Sequence, residues 1–199
     1  MDKNFISRYT AAFDELHLLI SASYLSAAGL DLTRKINQIA DDMLSFLIRA
    51  YQAGIQSASE MLDHDTNVDI SKMREAIYQV IDGKTFEDRI ADHITAGDIG
   101  RLDSLADSEY HRVFNAGVYD GGQQIRDSTG LGVIKHWYTV GDDKVRETHE
   151  YLEGRTVALD EEFYTFDNDH AAYPGLFTKV ENNANCRCTV TLEYDGTQE

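Results

Sequence analysis

D-S-T-G-L-G-V-I-K-H-W-Y-T-V, from Asp127 to Val140, is where the texture of this chain changes. Upstream, apolar residues recur at steps of three and four. Ser128-Thr129-Gly130 then breaks the pattern, and Val133 to Val140 is short, β-branched and aromatic, the composition of a strand. The expected fold class is therefore α+β and mostly helical. A helical portion over 1–128 precedes a small α+β module with a short sheet over 129–199.

Immediately before the break, Leu102, Leu105, Val113, Gly117, Gly121 and Ile125 define one face of a long helix near 99–127. Gly117-x-x-x-Gly121 on that face lets another backbone approach closely, as in tight helix packing within a soluble domain. Further upstream the spacing predicts helices near 70–82 and 85–96, the second opened by a Thr85/Asp88 cap. His64 to Asn67 reads as a polar loop. Leu32, Ile36, Ile39, Met43, Leu47, Ala50 and Gly54 form a stripe on a helix capped by Asp31 and running to Leu62. Phe5, Tyr9, Phe13, Leu16, Ile20 and Tyr24 form a stripe on a first helix ended by Gly29, so the two make an antiparallel hairpin.

Downstream of the break, Asp143 to Leu152 reads as a helix ended by Gly154, and Arg155 to Leu159 as a second short strand. Residues 160–184 are acidic, aromatic and loop-like, with a turn at Pro174-Gly175. Cys186 to Tyr194 alternates well enough for a final strand.

Composition narrows the function classes. The 199 residues carry 18 Lys and Arg against 35 Asp and Glu, a net charge of −17. Phosphate-binding surfaces need a basic face, so extensive direct DNA contact is not expected. A DNA-binding surface would have to be gathered by folding from Lys135, Lys144, Arg146, Arg155, Lys179 and Arg187. The N-terminus lacks a signal-peptide pattern, and Leu16 to Leu30 is too short to span a bilayer, so no membrane partner is expected. Cys186 and Cys188 are the only two cysteines and form no disulfide framework, which favours a reducing compartment.

Two clusters carry possible chemistry. On a helix, Val145, His149 and Leu152 share a face, which turns His149 toward the core. Arg146 lies i+4 from Asp142 and i+4 before Glu150. One reading is a solvent-side charge ladder beside a core histidine; the other makes His149 a general base or metal ligand and Arg146 a stabiliser of negative charge. The second cluster is N-C-R-C, Asn185 to Cys188. Strand alternation sends both thiols to one face, where they are either small buried apolar residues or zinc ligands. His149 would be the third ligand, with a fourth from His136, His170 or Asp143. The acidic runs 160–162 and 167–169 lack the glycine and terminal glutamate of a calcium loop and read as solvated.

Taken in order, these elements resemble a known family. F-N-A-G-V-Y-D (Phe114 to Asp120), a Trp-containing strand, V-R-E-T-H-E-Y-L-E-G (Val145 to Gly154), T-V-A-L-D-E-E-F (Thr156 to Phe163), Pro174 and N-C-R-C-T-V (Asn185 to Val190) follow the pattern of the phage minor head protein, or head morphogenesis, family of the Mu F-like type. The resemblance covers roughly residues 105–194. Its signature falls here on Trp137, Asp143, Val145, Arg146, His149, Gly154, Phe163, Pro174, Asn185, Cys186, Arg187 and Cys188. It implies a virion component assembled in the bacterial host cytoplasm and associated with the portal vertex. Its partners would be portal or capsid protein, and its work head morphogenesis and genome packaging or delivery by protein–protein docking, without a cofactor. Some related proteins carry an attached toxin or enzyme domain; the short chain here favours the structural role. The alternative is a small hydrolase or nuclease-like enzyme using Arg146 and His149 as catalytic groups, with zinc held by His149, Cys186 and Cys188.

Overall fold

The computed structural model describes Glu15 and residues 18–198. Phe5, Tyr9, Phe13 and Leu16 of the first expected stripe lie outside the described residues. In chain order the helices of the first half are α1 (18–26), α2 (Leu32–Leu62), α3 (Ile70–Ile77) and α4 (Phe86–Ala96). Then come α5 (Ile99–Thr129), β1 (Leu131–Tyr138), α6 (Glu147–Glu150), β2 (Thr156–Ala158), β3 (Phe163–Tyr164), β4 (His170–Ala171), α7 (Val180–Asn183) and β5 (Thr189–Gln198). The fold is α+β and mostly helical, as expected. No helix among the described residues is long and apolar enough to cross a membrane.

The chain divides into two compact units. One takes the described residues up to Phe46 together with Tyr78–Asp107. It buries Ile20, Ile39, Met43, Phe86, Ile90 and Leu102. The Thr85 hydroxyl accepts from the Asp88 N–H while the Asp88 carboxylate accepts from the Thr85 N–H, closing the expected capping box on α4. Gly97, at φ 69°, ends that helix in the left-handed region.

The other unit takes Leu47–Ile77 and Ser108 onward, and the change of texture at 128/129 falls inside it. Here α2 and α5 touch backbone to backbone. A Cβ on Gly54 would lie 2.2 Å from the Phe114 carbonyl oxygen, and one on Gly117 2.3 Å from that of Tyr51. The close approach read from Gly117-x-x-x-Gly121 is therefore real, a Cβ on Gly121 falling 2.6 Å from Ala58 Cβ, and Gly54 is its counterpart on α2. β1 forms the centre of an antiparallel sheet in the order β2-β1-β5, with Trp137 opposite Val190 and His136 opposite Thr191. Alternation along β1 turns Val133, Lys135 and Trp137 inward. α5 packs against this sheet: a Cβ on Gly122 would lie 2.7 Å from Leu192 Cδ1. The middle of α5, from Glu109 to Val118, is buried on every side, whereas the sequence pattern predicted one apolar stripe.

Three local expectations need correction. The helix expected over Asp143 to Leu152 is only the single turn α6. The Asp142 carboxylate accepts from the Lys144 N–H and pairs with Arg187, and Arg146 sits extended at ψ 151°, so the Asp142–Arg146–Glu150 ladder does not form. The final strand begins at Thr189, not Cys186, because Asn185 takes a left-handed φ of 53° and the Cys186 N–H closes a turn on the Asn183 carbonyl at 3.1 Å. Residues 160–184 are not a plain solvated loop. β3, β4 and α7 are tied there by Asp169, which is wholly buried and accepts from the N–H groups of His170, Thr178 and Lys179, the Thr178 hydroxyl and the Asn182 amide.

Candidate functional site

The single turn α6 presents His149 inward, where aromatic rings fix it. Phe177 stacks on the imidazole at 5.2 Å between centroids, and Trp137 meets it edge-on at 5.6 Å. Phe163 in turn holds Trp137 edge-on at 5.2 Å. These contacts leave the imidazole little freedom to rotate.

The two thiols arrive from the turn before β5. His149 Nδ1 lies 3.3 Å from Cys188 Sγ and 3.7 Å from Cys186 Sγ. All three residues are buried, and their donor atoms lie within 4.8 Å of one another. The thiols thus converge as expected, though from a turn and not from strand alternation. They open on a small cleft whose other walls are Val140, Lys144, Val145, Arg146, Asn185 and Arg187.

Several polar contacts hold the turn in place. The Arg146 guanidinium donates to the carbonyls of Asn182 and Ala184. The Thr148 hydroxyl donates to Asn182 Oδ1 at 2.9 Å, and the Asn182 amide reaches Asp169 at 2.7 Å. Arg187 grips Asp142 through two bonds of 2.7 and 2.8 Å, tying the cysteine turn to the segment after β1. From α5, Asn115 donates to the Cys188 carbonyl and accepts from the Val190 N–H.

The thiols do not behave alike. The Cys188 thiol donates to Cys186, which, against the opposing effect of burial and with help from His149, holds the Cys186 thiol well below its usual range. Cys188, beside that sulfur and buried, is pushed up. Within α5, burial pushes His111 down to about 3, so its imidazole is neutral.

The remaining signature positions separate by role. Gly154, at φ 69°, turns the chain back so that its N–H reaches the Trp137 carbonyl at 2.9 Å. Pro174 is buried beside Gly175, whose Cβ would lie 2.8 Å from Arg112 Cβ. Asp143 is exposed in the turn after β1 and joins no site. Nor does the structure bring a fourth ligand from the expected set: His136 bonds Thr156 and faces Glu193 at 3.2 Å, and His170 faces Glu162 at 2.7 Å. Of the six expected basic residues only Lys144, Arg146 and Arg187 line one cleft, and Arg187 there pairs with Asp142; Lys135 is buried and Lys179 pairs with Asp167.

Sequence reading missed four polar residues that organise this neighbourhood: Asn115, Lys135, Asp169 and Asn182. Lys135 donates to the Leu159 and Ala172 carbonyls at 2.8 and 2.7 Å and lies over the Tyr119 and Phe163 rings. A lysine at an inward position between Val133 and Trp137 was the available signal. Asp169 and Asn182 had none, because a short acidic run looks the same buried or solvated.

Residues 70–191 match the family described as Phage Mu protein F like protein. Among curated proteins, the chain is 29% identical over 91 residues to Minor head protein GP7 of Bacillus phage SPP1, covering 46% of this chain and 29% of that protein. It is 25% identical over 160 residues to NAD(+)--arginine ADP-ribosyltransferase EFV of Enterococcus faecalis, covering 79% of this chain and 32% of that protein. The chain therefore spans about a third of the length of the curated relatives it matches. No solved structure matches. On the family match over residues 70–191, which takes in β1, α6 and the cysteine turn, this chain belongs to the Phage Mu F-like protein family.

Proposed function

We propose that this protein is a minor head component of a phage or prophage particle, docked on portal or capsid protein and acting in head morphogenesis and genome packaging or delivery. The observation that carries the reading is family membership over residues 70–191, together with a relative named as a minor head protein. The surface supports a docking role. Tyr151 and Phe166 are both exposed and meet edge-on at 5.7 Å, with Tyr164 also exposed on β3. Exposed aromatic clusters favour protein contacts, and a charge of −17 disfavours the packaged DNA as the surface they meet. In this reading Arg146 is a positioning residue that anchors the turn carrying the thiols, and the buried aromatic cluster keeps the module rigid while it is docked.

The test is co-purification of the tagged chain from cells producing the particle. Portal or capsid protein recovered with it supports the reading, and Tyr151→Asp with Phe166→Asp should weaken that recovery at least tenfold. Recovery of neither protein, from a chain that is folded and expressed, overturns it.

A further inference from the structure

The cluster of His149, Cys186 and Cys188 has a chemistry that stands apart from the rest of the core. Three metal-ligating atoms meet at the cleft, with the Trp137 and Phe177 rings packed against the imidazole. The three residues expose 2%, 2% and 3% of their surface. An S–H group is only a weak donor, so hydrogen bonding alone is a poor reason to gather two thiols and an imidazole in a buried place.

We propose that His149 Nδ1, Cys186 Sγ and Cys188 Sγ bind one zinc ion, with the fourth position opening on the cleft. The distances fit. Zinc takes sulfur at about 2.3 Å and nitrogen at about 2.0–2.1 Å, so neighbouring ligand atoms on its tetrahedron stand roughly 3.6 Å apart. Here the two nitrogen–sulfur separations are 3.3 and 3.7 Å. Both lie within about 0.3 Å of the tetrahedral separation, and all three donor atoms fall within 4.8 Å of one another.

Charge and donor type point the same way. Two thiolates balance a divalent ion, so the loaded site is neutral and can stay buried. Binding releases the two thiol protons to solvent and leaves the imidazole neutral, so no redox partner is needed. Soft sulfur with imidazole suits zinc and not magnesium or calcium. The donors are also held before the ion arrives. Trp137 and Phe177 fix the ring, Asn115 fixes the Cys188 backbone, and Arg146 anchors Ala184 just before Cys186. The open side of the site meets the cleft wall at Lys144, Arg146 and Arg187, which leaves the fourth position to a solvent ligand.

The experiment uses the untagged full chain, purified under reducing conditions without chelator and measured by elemental analysis. One zinc per chain is expected. Chelator-stripped protein titrated with cobalt(II) should develop sulfur-to-metal charge-transfer and tetrahedral d–d absorption that saturate at one equivalent. Cys186→Ser, Cys188→Ser and His149→Ala should each lower zinc content at least tenfold, while Asp143→Ala keeps it. Chelation should lower the Tm of the parent chain and leave that of Cys188→Ser unchanged. The wild-type cobalt titration stands even if a variant does not fold. Zinc below about a tenth of an equivalent, with no thiolate-to-cobalt band from folded, reduced protein, overturns the proposal. So does a Cys186–Cys188 disulfide in protein kept under those reducing conditions.

Discussion

The side-chain amide of Asn115 donates to the carbonyl of Cys188 at 3.1 Å, joining the buried middle of α5 to the cysteine turn 73 residues later. The same amide reaches the His111 carbonyl at 2.8 Å, and its oxygen accepts from the Val190 N–H at 3.0 Å. One side chain thus sets the position of the last site residue relative to both the helix and the start of β5. Asn115→Ala removes all three bonds and leaves buried groups unpaired. The expected loss is about 2–3 kcal/mol, seen as a Tm drop of roughly 5–10 °C for a chain of this size. Asn115→Asp should be at least as harmful, since it buries a carboxylate against two carbonyls.

Gly117→Ala tests the contact between α2 and α5. The added carbon would sit 2.3 Å from the Tyr51 carbonyl oxygen and 3.1 Å from Gly54 Cα, both parts of rigid helical backbone. Forcing the helices apart should cost about 2–3 kcal/mol, despite the better helix propensity of alanine. Gly29→Ala, where a Cβ meets nothing within 4 Å, is the control and should change stability by less than about 0.5 kcal/mol. Chemical denaturation of the two variants makes the comparison.

Lys135 predicts a pH dependence. Burial pushes its ammonium down to about 8, against the opposing pull of Glu162, Asp160 and Glu161. In the unfolded chain the group titrates near 10.4. Between those values the unfolded chain binds more protons, so this group makes the fold more stable as pH rises from about 8 to 10.4. Below pH 8 its contribution is constant. Tyr51 and Tyr173, both raised by burial, work in the opposite direction above pH 10. The informative quantity is therefore wild-type stability minus that of Lys135→Met. It should increase by about 2–3 kcal/mol between pH 7.5 and 10. A flat difference contradicts the assignment.

Asp169 acts at the acid end. Burial raises its carboxyl, but the bonds from Asn182, Thr178, His170 and Lys179 together outweigh burial and hold it below the usual range. Its contribution is present above the unfolded value near 3.9 and is lost as pH falls through the lower folded value. Asp169→Ala strands five donors and should cost about 3–5 kcal/mol at neutral pH. Near-ultraviolet circular dichroism should report loosening around Trp137 in that variant, while the α5 helix signal persists.

How much of this was legible in the sequence depends on what each pattern records. The Gly117-x-x-x-Gly121 approach, the Thr85/Asp88 cap and the strand beginning near Val133 follow from local period and spacing, and the structure agrees. Trp137, His149, Cys186 and Cys188 were legible as a group because their order along the chain is distinctive. The single-turn α6 was not legible, since Asp143 to Leu152 has good helical spacing and only the distant Arg187 draws Asp142 away. Nor was the burial of Glu109, Arg112 and Asn115. An apolar stripe identifies the face packed against one neighbour, and these polar residues lie on the faces covered by others. Arg112, for example, donates to the Ala76 carbonyl at 2.6 Å and pairs with Glu109 at 2.7 Å. Contacts between residues distant in sequence decided each of these cases.

The central claim is that this chain is a head component, and the composition of the particle tests it most directly. Particles should be purified by density gradient from cells carrying the intact phage or prophage and analysed by quantitative mass spectrometry. The account predicts peptides of this chain in DNA-filled heads at a constant ratio to portal protein, retained through high-salt washing. A chain found only in the soluble lysate, with portal and capsid protein present in the gradient fractions, would contradict it.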